Sequence, residues 1–118
     1  MEKTYSFTVT DEKVIERIME DENAAINHMV LPEGEGLPVH TTNSNVYMIV
    51  VRGGIHAALN EGPDIACGAG TILNIPYLTK MDVRNRGKET AELFVVKAPA
   101  PLALAREICH KKDANPAK

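Results

Sequence analysis

The sequence predicts an all-β chain, a small antiparallel β-barrel or jelly roll followed by a short C-terminal helix. Three observations predict it. Short β-prone runs recur roughly every 8–12 residues, the rhythm of a sandwich or barrel. Turn chemistry separates them, at Pro32-Glu33-Gly34-Glu35-Gly36, Gly53-Gly54, Asn60-Glu61-Gly62-Pro63, Gly68-Ala69-Gly70 and Asn85-Arg86-Gly87-Lys88. The β-prone part then ends at Pro99 and Pro101, and a run with helical spacing follows.

Residues 4–9 alternate, with Tyr5, Phe7 and Val9 on one side and Thr4, Ser6 and Thr8 on the other, which predicts a strand. Residues 11–22 carry two readings. Asp11 and Glu12 ahead of Val14, Ile15, Ile18 and Met19 suit an amphipathic helix with an acidic first turn. The strand rhythm of the rest of the chain suits a strand over the same residues. Residues 24–31 predict a strand with Ala24, Ile26, His28 and Val30 on one face and Ala25, Asn27, Met29 and Leu31 on the other. Residues 45–51 are an apolar run expected to be buried on both faces, and 55–59 form the return strand after the glycine pair. Residues 65–67 are short. Strands over 71–76, 80–85 and 91–97 complete the β part. Residues 102–110 suit a helix with Pro101 near its first turn. Leu102, Ala105, Ile108 and Cys109 would pack on the barrel or a partner, and the polar residues 111–118 are expected to fray.

A chain of 118 residues reads as one domain over 1–118, with the barrel over about 4–99 and the helix and tail over about 100–118. It is long enough to bury a core without disulfides. The net charge of −3 and the scattered Lys and Arg give no nucleic-acid stripe and no polybasic membrane patch. Residues 1–6 are polar and no apolar stretch follows, so neither a secretory leader nor a membrane span is expected. Cys67 and Cys109 fit no zinc or CxxC spacing and read as reduced structural thiols of a cytoplasmic protein. With aromatics at 4% and no Trp, the core must come from Val, Ile, Leu, Ala and Met. The chain has no GxSxG, no P-loop and no GxGxxG.

Residues 34–53 and 70–85 resemble the two motifs of the cupin superfamily. The first motif of that family runs Gly, five residues, His, one, His, three or four, Glu, six, Gly. Here Gly34, His40, Thr42, Val46 and Gly53 stand at those places. The second runs Gly, five, Pro, one, Gly, two, His, three, Asn. Here Gly70, Pro76, Leu78, Met81 and Asn85 stand at those places. The resemblance covers about residues 24–97 and implies a small single-domain cupin of the conserved-barrel type.

The departures bear on chemistry. A cupin metal site uses three His and one Glu converging inside the barrel. At those four places this chain has His40, Thr42, Val46 and Met81, one imidazole with no carboxylate. No cofactor is therefore expected. Were a metal found, His40 with His28, Met48 or Met81 would be the replacement ligands, and two thioethers would favour Cu(I). By the resemblance His40, Thr42, Val46, Met48 and Met81 point inward. They form either a mostly apolar small-molecule pocket with two polar groups or a filled core. His40 is the candidate general base, although no inward carboxylate is available to orient it, because Asp82 should point away. Whether His28 faces the interior is open. His56 reads as structural, His110 has no assigned role, and Asn85, Pro76 and Gly70 read as turn-shaping. The expected function is metal-free binding of a small organic ligand. The alternative is an oxygenase-like or isomerase-like cupin with an altered ligand set, or a metal-free enzyme using His40. The resemblance also implies a homodimer in which the N-terminal strand crosses over.

Overall fold

The computed structural model describes residues 1–113, and side chains as far as Cys109. Nine strands run β1 (Val14–Glu20), β2 (Ala25–Leu31), β3 (His40–Thr41), β4 (Val46–Arg52), β5 (Gly54–Leu59), β6 (Asp64–Gly68), β7 (Ile72–Ile75), β8 (Lys80–Arg84) and β9 (Ala91–Lys97). Helix α1 (Pro101–Asp113) follows. One sheet has the order β1-β2-β9-β4-β7 and the other β3-β8-β5-β6, and the paired strands are antiparallel. The two sheets stack as a jelly roll and are not closed into a barrel. The core between them comes mostly from aliphatic and sulfur side chains, as the scarcity of aromatics requires: Leu31, Met48, Val50, Ile55, Ile75, Met81, Val83 and Leu93 are buried.

Period-two alternation sets the faces. On β9, Ala91, Leu93 and Val95 are buried while Glu92, Phe94 and Val96 turn to the outer side. On β2, Met29 and Leu31 enter the core, which puts Asn27 on that same inner face. Residues 11–22 resolve to a strand. Their apolar spacing looks helical because β1 carries a bulge: the pairing shifts between Arg17↔Asn27 and Met19↔Ile26, and the extra residue changes the phase of the alternation.

The strand expected over 4–9 does not form. The alternation is present, but no strand of this chain pairs with it, so the segment has no ladder of hydrogen bonds. It is instead pinned by side chains. Thr8 donates its backbone N–H and its hydroxyl to the Glu16 carboxylate, at 2.9 Å each, and Phe7 lies 4.6 Å from the His28 ring. The C-terminal helix starts at Pro101 and continues through 111–113, beyond the expected end; residues 114–118 lie outside the described residues.

Two turns show what backbone geometry demands. Gly53 joins β4 to β5 at φ +66°, and a Cβ there would stand 2.4 Å from the Thr90 carbonyl oxygen. Only glycine meets both conditions without strain. Leu78 has φ +62°, so the second motif keeps its left-handed turn even though leucine replaces glycine there.

Candidate functional site

One end of the jelly roll holds a cavity of about 40 Å³. Each wall traces to an element. β3 supplies His40, which pairs across the ladder with Met81 of β8, so the two side chains share a face; Met81 is buried, whereas His40 is exposed at the cavity rim. β4 supplies Val46, and the segment between β3 and β4 supplies Thr42 and Asn43. β2 contributes Asn27 and Met29, β9 contributes Val95 and Lys97, and Leu37 completes the floor.

Four of the five expected pocket residues, His40, Thr42, Val46 and Met81, therefore meet at one cavity. Met48 does not line it. It is 0% exposed and lies in the core, its inward side chain two residues further along β4 than Val46. Thr42 lines the cavity, and its hydroxyl is bonded to backbone. Its hydroxyl donates to the Pro76 carbonyl at 2.7 Å and accepts the Thr79 N–H at 2.9 Å, which ties the β3 end to the turn before β8. Among the described residues His40 has no carboxylate partner; its Nδ1 lies 2.9 Å from the Pro38 carbonyl. That bond makes Nδ1 the donor and leaves Nε2 available as an acceptor.

Sequence reasoning missed Asn27, Asn43 and Lys97. Asn27 and Lys97 were open to discovery by alternation alone. Asn27 shares a face with Met29 and Leu31, and Lys97 follows Ala91, Leu93 and Val95 in the inward series. A polar residue on a core face is unusual enough to mark a site. The Asn27 Oδ1 is buried and has no hydrogen-bond partner among the described residues. The same three residues also line an adjoining cleft of about 270 Å³ with Arg17, Glu20, Pro101 and Leu102. A third, apolar recess of about 450 Å³ runs between α1 and the β7–β8 turn and shares Thr42 and Asn43 with the cavity. The three spaces thus share wall residues at one end of the fold, and the first turn of α1 lines the cleft and the recess.

His28 lies elsewhere. It is on the outer face of the five-stranded sheet, 0% exposed beneath Phe7. Its Nδ1 is 2.8 Å from Glu16 and its Nε2 2.6 Å from Glu92, and Phe94 flanks the ring. Glu92 also takes Arg52 at 2.8 Å, and Arg52 continues to Asp11. The Glu16 carboxyl sits below its ordinary range, chiefly because of the Thr8 N–H and then His28. For Glu92 burial pushes upward, but the hydrogen bonds from Arg52 and His28 outweigh it and hold the group low. His28 lies on the outer face of the five-stranded sheet, whereas His40 is on β3 of the other sheet and lines the cavity on the inner side, so they cannot ligate a common ion.

The four motif positions do not fit the family's metal. They offer one imidazole, a hydroxyl already bonded twice to backbone, an isopropyl group and a thioether. Among the described residues no group of three or more His, Cys, Asp or Glu is placed to hold a metal. Asp82 and His56 face outward from the four-stranded sheet, opposite Ala58 and Arg84. Asn85 fixes its turn as expected, donating to the Leu31 and Glu89 carbonyls and accepting the Gly87 N–H. Cys67 is buried, which pushes its thiol up, whereas Cys109 is exposed.

This two-sheet topology, with the motif turns at the expected places, defines a cupin, and the chain belongs to the RmlC-like cupin family. An uncharacterised protein of Methanocaldococcus jannaschii is 37% identical over 105 residues, covering 88% of this chain and 90% of that protein. Its crystal structure, described as an RmlC-like cupin with a double-stranded β-helix fold, superposes with a TM-score of 0.85 over 89% of this chain and 97% of that one. An RmlC-like cupin from Desulfovibrio desulfuricans shares the fold at 24% identity and a TM-score of 0.72, covering 85% and 99% of the two chains. The cupin domain of Schizosaccharomyces pombe Cnp3 shares it at 18% and 0.71, covering 86% and 75%. No family model matches the chain.

Proposed function

We propose that the protein binds a small organic ligand, without a metal, at the mouth formed by His40, Asn27, Asn43 and Lys97. One observation supports this reading: Asn27, whose buried Oδ1 has no hydrogen-bond partner among the described residues, lines both a cavity and a larger cleft beside it. A buried acceptor without a donor costs roughly 1–3 kcal/mol, and a bound molecule with a donor recovers it. Apolar walls with a few placed polar groups are the usual make-up of such sites.

The test is a titration of isotope-labelled protein with a library of small organic molecules, read by amide chemical shifts. Saturable changes at residues 27, 40, 43 and 97, abolished in Val46→Phe, support the site. Changes confined to other regions, or equal binding by Val46→Phe, refute it. Elemental analysis of untagged protein exposed to iron, copper, zinc and manganese should find far less than one metal per chain. Stoichiometric metal lost in His40→Ala overturns the metal-free part.

A second reading keeps His40 as a general base in a metal-free enzyme. The Pro38 bond favours it by making Nδ1 the donor, so that in the neutral ring Nε2 is the acceptor. Turnover of a bound ligand that disappears in His40→Gln while binding persists would establish it.

The protein also acts as a cytoplasmic homodimer in this reading. Tyr47, Ile49, Ile72, Phe94 and Val96 share the outer face of the five-stranded sheet, with Ile72 63% exposed, and the arm presents Tyr5 and Val9. A second copy would cover both. Light scattering should give twice the chain mass and, after removal of residues 1–10, the single mass. Among the described residues no helix is long and apolar enough to cross a membrane.

A further inference from the structure

We infer that the ligand is a small carboxylate carrying a neighbouring hydroxyl or amino donor, with Lys97 pairing its carboxylate and Asn27 Oδ1 accepting from the donor. This rests on the binding reading above and gives it a chemical class. Lys97 occupies the last inward place of β9, between Ala25 on β2 and Val46 on β4. Three buried apolar residues precede it in that series, so the residue stands where the core ends, in the lining of the cavity and the cleft. Among the described residues it makes no ion pair.

The charges around it do not satisfy it. Arg17, in the same cleft, is a second cation. Glu20 is the one carboxylate there, and it is engaged by Arg17 at 3.4 Å and by the Leu102 N–H at 3.5 Å. Burial, reinforced by Arg17 and opposed by Glu20, holds the Lys97 ammonium below the usual lysine range. Two cations against one carboxylate leave a site that an anion completes, and charge-assisted bonds are the strong ones. Asn27 lines the same cavity and cleft as Lys97 and presents an acceptor with nothing to accept. The two groups thus ask for opposite things, negative charge at one and a hydrogen-bond donor at the other. A 2-hydroxy or 2-amino carboxylate supplies both on adjacent carbons. The cavity of about 40 Å³ admits only a group of one or two heavy atoms, so the body of the ligand lies in the cleft.

Lactate is the probe, with acetate lacking the donor and propane-1,2-diol lacking the charge. Amide shifts at 27, 43 and 97 should saturate with lactate at millimolar concentration, more weakly with acetate, and not with the diol. Lys97→Met should weaken lactate roughly tenfold to a hundredfold, and Lys97→Arg should retain most of the binding. Equal binding of lactate and diol, with Lys97→Met unaffected and Val46→Phe inactive, overturns the carboxylate assignment and leaves the pocket standing. Lactate shifts that survive Val46→Phe place the anion outside the cavity and overturn both. Inorganic phosphate competing as well as lactate, with no loss in Asn27→Leu, reduces the site to a general anion site and overturns the donor half.

Discussion

Replacing His28 with alanine tests the cluster that joins the N-terminal arm to the sheet. His28 is fully buried, and each of its ring nitrogens faces a carboxylate oxygen, at 2.8 and 2.6 Å. Carboxylates only accept, so both bonds hold together when both nitrogens carry hydrogen. Truncation leaves Glu16 and Glu92 without that shared donor, opens a cavity under Phe7, and removes the ring against which Phe7 and Phe94 pack. Breaking a buried ionic contact costs roughly 3–5 kcal/mol. Solvent reaches the Glu16 and Glu92 side chains, 25% and 14% exposed, and Arg52 stays on Glu92, which places the loss at the lower end, about 3 kcal/mol. With a urea slope of about 2 kcal/mol per M, the midpoint should fall by about 1.5 M at pH 7 and fixed protein concentration.

Acid supplies the second half of that test. Glu16 and Glu92 are both held below their ordinary value of 4.5 in the folded protein. A carboxylate with a depressed folded pKa stabilises the fold above its unfolded value and loses that contribution as pH falls through the folded one. The carboxylates' share of the gap between wild type and variant should therefore be present above about pH 4.5 and shrink below it. Midpoints that agree within about 0.3 M at pH 7, or a gap that widens below about pH 4.5, would refute the account of the cluster.

Two further substitutions probe the turns. Gly53→Ala places a Cβ 2.4 Å from the Thr90 oxygen and 2.8 Å from the Ala91 Cα at φ +66°, so a loss of about 3 kcal/mol, about 10 °C in Tm, is expected in a thermal melt. A change under about 2 °C would mean that the β4–β5 connection relaxes freely. Leu78→Gly relieves a left-handed leucine whose side chain is 64% exposed, and should raise stability by about 0.5 kcal/mol after the greater freedom of the unfolded glycine is counted. A loss above about 1 kcal/mol would show that the leucine side chain makes a stabilising contact.

Much of the fold was legible because each strand carries its own local pattern. β9 falls on residues 91–97 as expected, and β2, β4, β5, β7 and β8 begin and end within a residue or two of their turn signals. The motif spacing also gave the correct neighbours: His40 and Met81, 41 positions apart in the chain, are paired across one ladder. The arm at 4–9 was misread because alternation reports which side chains are apolar, not whether a partner strand exists. β1 was left undecided because a bulge mimics helical spacing.

By itself the sequence determined the strand rhythm, the places of the turns, the alternation of faces within most strands and the loss of three motif ligands, since all of these are local in the chain. Tertiary structure alone decided which inward residues share a space. It set Lys97 beside Asn27, spent the Thr42 hydroxyl on backbone, moved Met48 into the core and turned His28 to the outer face. Those outcomes depend on register, bulges and the stacking of two sheets. Such long-range relations assign partners to polar atoms, and a residue's chemistry becomes a site only through the partners it has or lacks.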